Sequence, residues 1–348
     1  MEILWFWLVS VMVAIYAVMD GFDFGAGILH HFVARADSER RQVLSAIGPL
    51  WDGNEVWQLA SGGNLFLAFP SVLAAGFSGF YLAMFMVVWS LMLRGVAIEF
   101  RSHVKSGMWR AFWDFAFTFA SALLPVLLGA ALGNVVRGVP LDQAGYFNIP
   151  LFTHFATHNP VGILDWYTTL MGVFVLLTLA NHGALFLAWK TEGPVHERAR
   201  RFALPLSVLT AVLGGLTTLA TAQVNPDIYA NLPNAPLAWI GLFLFVLGLA
   251  TVFSGQLRGR FLVAFLGSGA FIIGLLVATA ACVFPVMLKS TLDPAWSLTA
   301  YNAAASHHGL VTGTKWWFFG FPIAVAYFVV LFRLHRGKVK AAADSRGY

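Results

Sequence analysis

Charge is what this sequence has least of. Asp, Glu, Lys and Arg make up 11% of its 348 residues, about half the share of an ordinary soluble domain, which excludes a water-soluble enzyme of average composition. A lone cysteine, Cys282, excludes an intrachain disulfide and leaves no basis for a thiolate metal centre. No P-loop and no glycine-rich dinucleotide turn after a strand occurs, so ATP-driven transport by this chain alone has no support. The short alternating segments of a membrane β-barrel are missing too. No linker or low-complexity stretch divides the sequence, which reads as one integral membrane domain, 1–348, with a short polar tail at 335–348.

What the sequence does have is apolar length. Hydrophobic residues make up 59% of it, gathered in runs of about 20 residues, enough to cross a bilayer as a helix. The chain is therefore an all-α polytopic membrane protein. Helices are predicted at Ile3–Val33, Val56–Ala74, Phe77–Ala97, Phe112–Val136, Ile163–Trp189, Phe202–Ala222, Pro236–Leu257, Phe261–Met287 and Trp316–Leu334. The second is the weakest of the nine, because only Ala75–Gly76 separates it from the third. Eight spans, with Val56–Ala74 re-entrant or interfacial, is the alternative. The first run has Glu2 and no basic stretch before it, and reads as a span and not a cleavable signal.

Charge placement arbitrates between the two counts. With nine spans and the N-terminus outside, all but Arg137, Lys289 and Lys315 of the 21 basic residues fall on the inner side. Eight spans would put Arg35, Arg40 and Arg41 outside. The inside-positive bias favours nine, N-terminus out and C-terminus cytoplasmic. The net charge of +5 thus records topology and gives no reason to expect nucleic acid as a partner.

The few acids are not scattered. "YAVMDGFDFGAGILHHF" places Asp20 and Asp23 three residues apart on one face of the first span. "GPLWDGNEVWQ" opens the second with Asp52 and Glu55, and "LRGVAIEFRSH" closes the third with Arg94, Glu99 and Arg101. An acid inside a membrane helix costs on the order of 2.5–3.5 kcal/mol, so these positions need a reason. The topology brings Asp20, Asp23, Asp52, Glu55, Arg94 and Glu99 to the inner membrane face as candidates for a proton path. Trp51, Asn54 and Trp57 are candidates to line a cavity or interface beside them. A plain salt-bridge network locking the first three spans is the structural alternative.

His30, His31, His154, His158, His182, His307 and His308 show no repeated pair at helical spacing, as a di-haem bundle would need. They read as loop or interface residues, with no metal site. Gly76–Gly79, Gly214–Gly215 and Gly267–Gly269 read as helix-packing positions. Trp5, Trp7, Trp316 and Trp317 read as interfacial aromatics.

Four motifs, "DGFDFGAG" (20–27), "GPLWDGNEVWQ" (48–58), "FLAFPSVLAAGFSGFY" (66–81) and "LRGVAIEFRS" (93–102), resemble subunit II of the cytochrome bd-type quinol oxidases. "FPVMLKSTLDPAWSLTAYNAAAS" (284–306) is similar to that family's segment before its last helix. The resemblance implies two four-helix bundles plus a peripheral helix. It implies a haem-free subunit paired with a haem-bearing subunit I, which carries two b-type haems and one haem d. The complex would oxidise quinol and reduce O2 to water in the bacterial cytoplasmic (inner) membrane, taking protons from the cytoplasm without pumping them. Asp20, Asp23, Asp52, Asn54 and Arg94 match positions near a proposed proton route and the subunit interface, and Glu55 stands where members carry Gln or Glu. The resemblance leaves open which quinol is used, small single-helix accessory subunits, and a structural quinone or lipid in this subunit. The competing readings are a secondary transporter using the acids as an ion site, and a purely structural partner.

Overall fold

Residues 1–340 are described by a computed structural model of the chain. Residues 341–348, most of the expected polar tail, lie outside the described residues.

The first span is α1 (Glu2–Met19) followed by α2 (Gly21–Val33), joined at Asp20. Asp20 keeps helical backbone angles (φ −81°, ψ −18°), so the two run on as one rod of 32 residues. Next comes α3 (Asp37–Ile47), a short helix that buries Val43, Leu44 and Ile47. It falls in the stretch expected to be a basic loop: its charged first half hides a helix whose apolar residues are confined to one face.

The second expected span, Val56–Ala74, is corrected by the structure. The helix starts earlier, as α4 (Trp51–Ala68), and stops before Pro70. Proline has no N–H to give and disfavours helical geometry in the residue before it. Phe69 accordingly leaves the helix (φ −139°, ψ 62°), and α5 (Pro70–Gly79) departs at 118°. α4 begins with Trp51 beside Gly95 of α6 (Tyr81–Phe100) and ends where Ala68 accepts the N–H of Ala305 at 2.8 Å. It therefore runs between the two ends of the bundle. Eight other spans are long and apolar enough to cross a membrane, and the bent pair raises the count to 9 among the described residues.

The remaining helices are α7 (Gly107–Arg137), α8 (Trp166–Lys190), α9 (Gly193–Val224), α10 (Asp227–Asn231), α11 (Pro236–Leu257), α12 (Phe261–Val283) and α13 (His307–Leu334). α7, α9 and α13 each begin before the apolar run that predicted them. Ser106 and Ser306 cap the early starts of α7 and α13 by accepting the N–H of Trp109 and Gly309. The spans α1/α2, α4, α6 and α7 form one group, and α8, α9, α11 and α12 a second. α13 lies outside, against α4.

α8 sits at the centre and packs on α2, α7, α9 and α12. Glycine permits the closest approach: a Cβ on Gly25 would lie 2.1 Å from the Leu179 carbonyl, and one on Gly183 2.2 Å from the backbone of Gly25. Backbone cannot yield, so α2 and α8 touch only because both positions lack a side chain. α11 and α12 mesh in the same way at Gly241, Gly248 and Gly255, seven residues apart. At one end of the bundle a two-stranded ribbon, β1 (Val286–Leu288) with β2 (Leu298–Thr299), closes over the loop after α7. At the other end the Val339 N–H donates to the Lys190 carbonyl at 2.8 Å, and Gln42 donates to the Val339 carbonyl at 2.8 Å, tying the segment after α13 onto α3 and the α8–α9 turn.

Candidate functional site

The face of α2 turned to α8 uses Gly21 and Gly25. Residues at steps of three and four from Asp20 lie on a different stripe: Asp20, Asp23, Gly27 and His30. Gly27 faces α7, where a Cβ would overlap the Ser121 hydroxyl. Tight packing of the glycine face thus aims both aspartates at α4, α6 and α7.

There they meet one cation. Arg94 of α6, buried, donates through Nη1 to Asp20 Oδ1 at 2.5 Å and through Nη2 to Asp20 Oδ2 at 3.2 Å. Nη2 also reaches Glu55 Oε2 on α4 at 3.0 Å. The guanidinium carbon lies 4.5 Å from the centroid of Phe24, one residue after Asp23, a favourable stack for a delocalised cation. Asn54 of α4 donates to Asp23 Oδ2 at 2.8 Å, and Asp23 Oδ1 has no partner among the described residues. Two carboxylates from two helices, Asp20 and Glu55, therefore share one guanidinium, and Asp23 lies beside them on Asn54. Asp20 and Asp23 are sealed from outside, whereas the Glu55 side chain is 23% exposed, so the chain's own route into the cluster passes Glu55.

The structure gathers Asp20, Asp23, Asn54, Glu55 and Arg94 and sets the other candidates apart. Asp52 is two residues before Asn54, about 200° round the helix, and is exposed at the first turn of α4, outside the hydrogen bonds around Arg94. Glu99 is five residues past Arg94, about 140° round α6, and half-buried. Trp51 is half-buried against Gly95 of α6. Trp57 is buried between Phe321 and Phe328 of α13, with ring centroids 6.1 and 5.4 Å away, and so joins α4 to the outer helix.

A second polar cluster was not foreseen. Asp114 of α7, buried, takes His30 Nε2 at 2.7 Å and Arg101 Nε at 2.6 Å on Oδ1, and Arg40 Nη1 at 2.8 Å on Oδ2. Arg101 and Arg110 continue to Asp37 at 2.8 and 2.9 Å. His30, expected at the membrane interface, is instead fully buried in this network, while His31 is exposed. The signal was there to read: Asp114 is a single acid in the apolar run "WDFAFTF", subject to the same rule as Asp20. At the opposite end Arg137 pairs with Asp165 and donates to Asn134 Oδ1 at 2.6 Å, a further buried pair.

His182 of α8 has both ring nitrogens engaged, Nδ1 with Ser268 at 2.5 Å and Nε2 with the Val18 carbonyl at 3.1 Å. Among the described residues no three His, Cys, Asp or Glu side chains converge as metal ligands. An apolar cavity of about 500 Å³ lies between α1, α7, α8, α9, α11 and α12, lined by Val13, Tyr16, Leu128, Met171 and Phe245. Tyr16, one turn before Asp20, forms part of its wall.

Comparison with known proteins gives this arrangement a family. The family model for cytochrome bd terminal oxidase subunit II matches residues 1–335. The cytochrome bd-I ubiquinol oxidase subunit 2 of Escherichia coli (strain K12) is 32% identical over 333 residues, covering 88% of this chain and 86% of that one. The cytochrome bd ubiquinol oxidase subunit 2 of Bacillus subtilis (strain 168) is 33% identical over 310 residues, covering 88% and 87%. The structure of bd oxidase from Geobacillus thermodenitrificans includes a chain that matches with TM-score 0.74 at 19% identity, covering 96% of this chain and 98% of that one, and so shares the fold. With nearly the whole sequence matched and the acid-bearing spans in place, the chain belongs to the cytochrome bd terminal oxidase subunit II family.

Proposed function

We propose that this chain is the haem-free subunit of a quinol:O2 oxidoreductase in the bacterial cytoplasmic membrane, that it pairs with and stabilises a haem-bearing subunit I, and that its buried acid cluster takes up cytoplasmic protons for the reduction of O2 to water. The observation that carries the proton role is the pair of carboxylates that share Arg94, Asp20 buried and Glu55 partly open. Asp20 and Glu55 accept from the same Arg94 nitrogen, which sets a partly open acid beside a buried one for proton transfer. Glu55 takes a proton at the mouth, Asp20 and Asp23 hold it within, Asn54 fixes one oxygen of Asp23, and Arg94 keeps the buried negative charge tolerable. The haems of subunit I supply the redox chemistry, and quinol releases its protons on the opposite side, so the turnover separates charge without a pump. The apolar cavity beside Tyr16 has the lining to take an isoprenoid quinone chain.

Glu55→Gln tests the reading in the purified two-subunit complex. The expected result is a fall of about tenfold or more in quinol-driven O2 uptake at unchanged haem content, with a smaller fall for Asp52→Asn. Equal loss of haem and of turnover in Glu55→Gln would leave the cluster only an assembly role. A secondary transporter would need broken helices in both halves, and the described residues contain one broken pair, α4 with α5.

A further inference from the structure

The two polar clusters share a geometry. On α2, Asp23 and His30 are seven residues apart; Arg94 of α6 and Arg101, which caps α6 with helical backbone angles, are also seven apart. Seven residues is two turns less about 20°, a rise of roughly 10 Å on nearly the same face. The two helices therefore carry two polar layers, although the carboxylate that binds Arg94 is Asp20, one turn before Asp23. In one, Arg94 reaches Asp20; in the other, Arg101 and His30 meet on a single oxygen, Oδ1 of Asp114.

α6 buries Ala97 and Ile98 between its two arginines, in an apolar core shared with α2, α3 and α7, but apolar contacts give no directional hold of the kind an ion pair gives. α6 packs chiefly along α7, and α7 packs along α2. Asp114 stands in that chain of contacts and touches side chains from α2 (His30), α3 (Arg40) and the end of α6 (Arg101). The Arg101 fork is doubly fixed on it, with Nη2 at 3.2 Å from Oδ2. A guanidinium held on two oxygens resists rotation in a way a single contact does not. Arg94 sits two turns back on the same rod, so the rotation fixed at Arg101 is the rotation that aims Arg94.

We propose that Asp114 is a positioning residue for the proton-uptake cluster: by holding Arg101 and His30 together it sets the rotation of α6 against α2, and so the reach of Arg94 to Asp20 and Glu55. Asp114 touches neither carboxylate and acts through Arg94. The proposal rests on the proton-uptake reading above.

A double-mutant cycle between Arg94 and Asp114, which do not touch, is the test. Arg94→Lys, Asp114→Asn and the double variant are purified with subunit I. Haem content, and kcat and KM for quinol, are then measured. Each single variant is expected to lower kcat by roughly tenfold, the scale of lost positioning, with KM and haem content unchanged. The double variant should be no slower than the slower single, within about twofold. A double variant slowed by the product of the two single effects overturns the proposal. If Asp114→Asn fails to assemble, Arg101→Lys takes its place in the same cycle, since it keeps the charge and loses the fork. Failure of that variant to assemble as well would make the layer purely structural and overturn the proposal. Wild-type turnover in Arg94→Lys would remove the proton-uptake reading itself, whereas a slow Arg94→Lys with multiplied effects removes only the positioning role.

Discussion

Glu39 shows what one carboxylate does at the edge of this membrane protein. It lies in the first turn of α3 and binds Arg198 of α9 at 2.7 Å, with the backbone N–H groups of Arg35 and Ala36 at 2.7 and 3.1 Å. Burial alone would raise its carboxyl, but these three donors outweigh burial and hold it at about 2. A folded value below the ordinary 4.5 means that the contact stabilises the fold fully above that pH and is lost as pH falls toward 2. Thermal stability of the complex should therefore decline between about pH 5 and pH 3, and Glu39→Gln should lower stability at pH 7 and flatten that decline. An unchanged acid slope in the variant would assign it to other groups. Legibility at this scale followed rarity. Asp20, Asp23, Glu55 and Arg94 stood out because charge inside an apolar run needs a reason. Asp52 stood out equally and shares a helix face with Glu55, but it is exposed and lies outside the hydrogen bonds around Arg94, which a cluster drawn from topology cannot foresee. Asp114 was passed over because it had no acidic neighbour, although its partners come from three other segments.

At the scale of elements, length and hydropathy placed most spans to within a few residues, because a bilayer crossing imposes a length. They failed where polarity and helix coexist. α3 carries its charges in its first half and its apolar residues on one face, and α9 begins nine residues before the apolar run at Phe202. The break at Phe69 is a local rule, proline after an aromatic, that a hydropathy window averages away. What α4 gains from its partners is also invisible in a window. Trp57 lies against Phe321 and Phe328, and Gly53 leaves room for Tyr327, so α13 and α4 fit as one surface. In water, Trp→Ala in a core costs about 3–5 kcal/mol. In lipid the transfer part is largely absent and packing remains, so Trp57→Ala should cost about half that or less. The expected outcome is a complex that keeps its haem but melts a few degrees lower and yields to proteolysis after Leu334, with Trp57→Phe close to wild type. An unaltered proteolysis pattern in Trp57→Ala would show that the segment around Val339 holds α13 without help from α4.

For the molecule as a whole, nine crossings, with the bent pair counted as one among the described residues, would put the two termini on opposite sides, and the polar layers divide between the ends. One end holds α3, the Asp114 cluster and the α8–α9 turn; the other holds the Arg137–Asp165 pair and the β1–β2 ribbon. We propose from the distribution of Lys and Arg that the first end is cytoplasmic, and the proton-uptake reading depends on that orientation, since in it the protons consumed in O2 reduction come from the side opposite quinol release. Labelling can check it with no reference to activity. The native thiol, Cys282, is buried, and Cys282→Ser leaves a silent background. Glu197, in the first turns of α9, and Gln143, in the loop before α8, are both exposed and sit at opposite ends of α8. With a membrane-impermeant maleimide, Gln143→Cys should react in intact spheroplasts, and Glu197→Cys should react only in inverted vesicles. Reaction of Glu197→Cys in spheroplasts would reverse the orientation, place the mouth at Glu55 on the outer face, and end the case for cytoplasmic proton entry through this subunit.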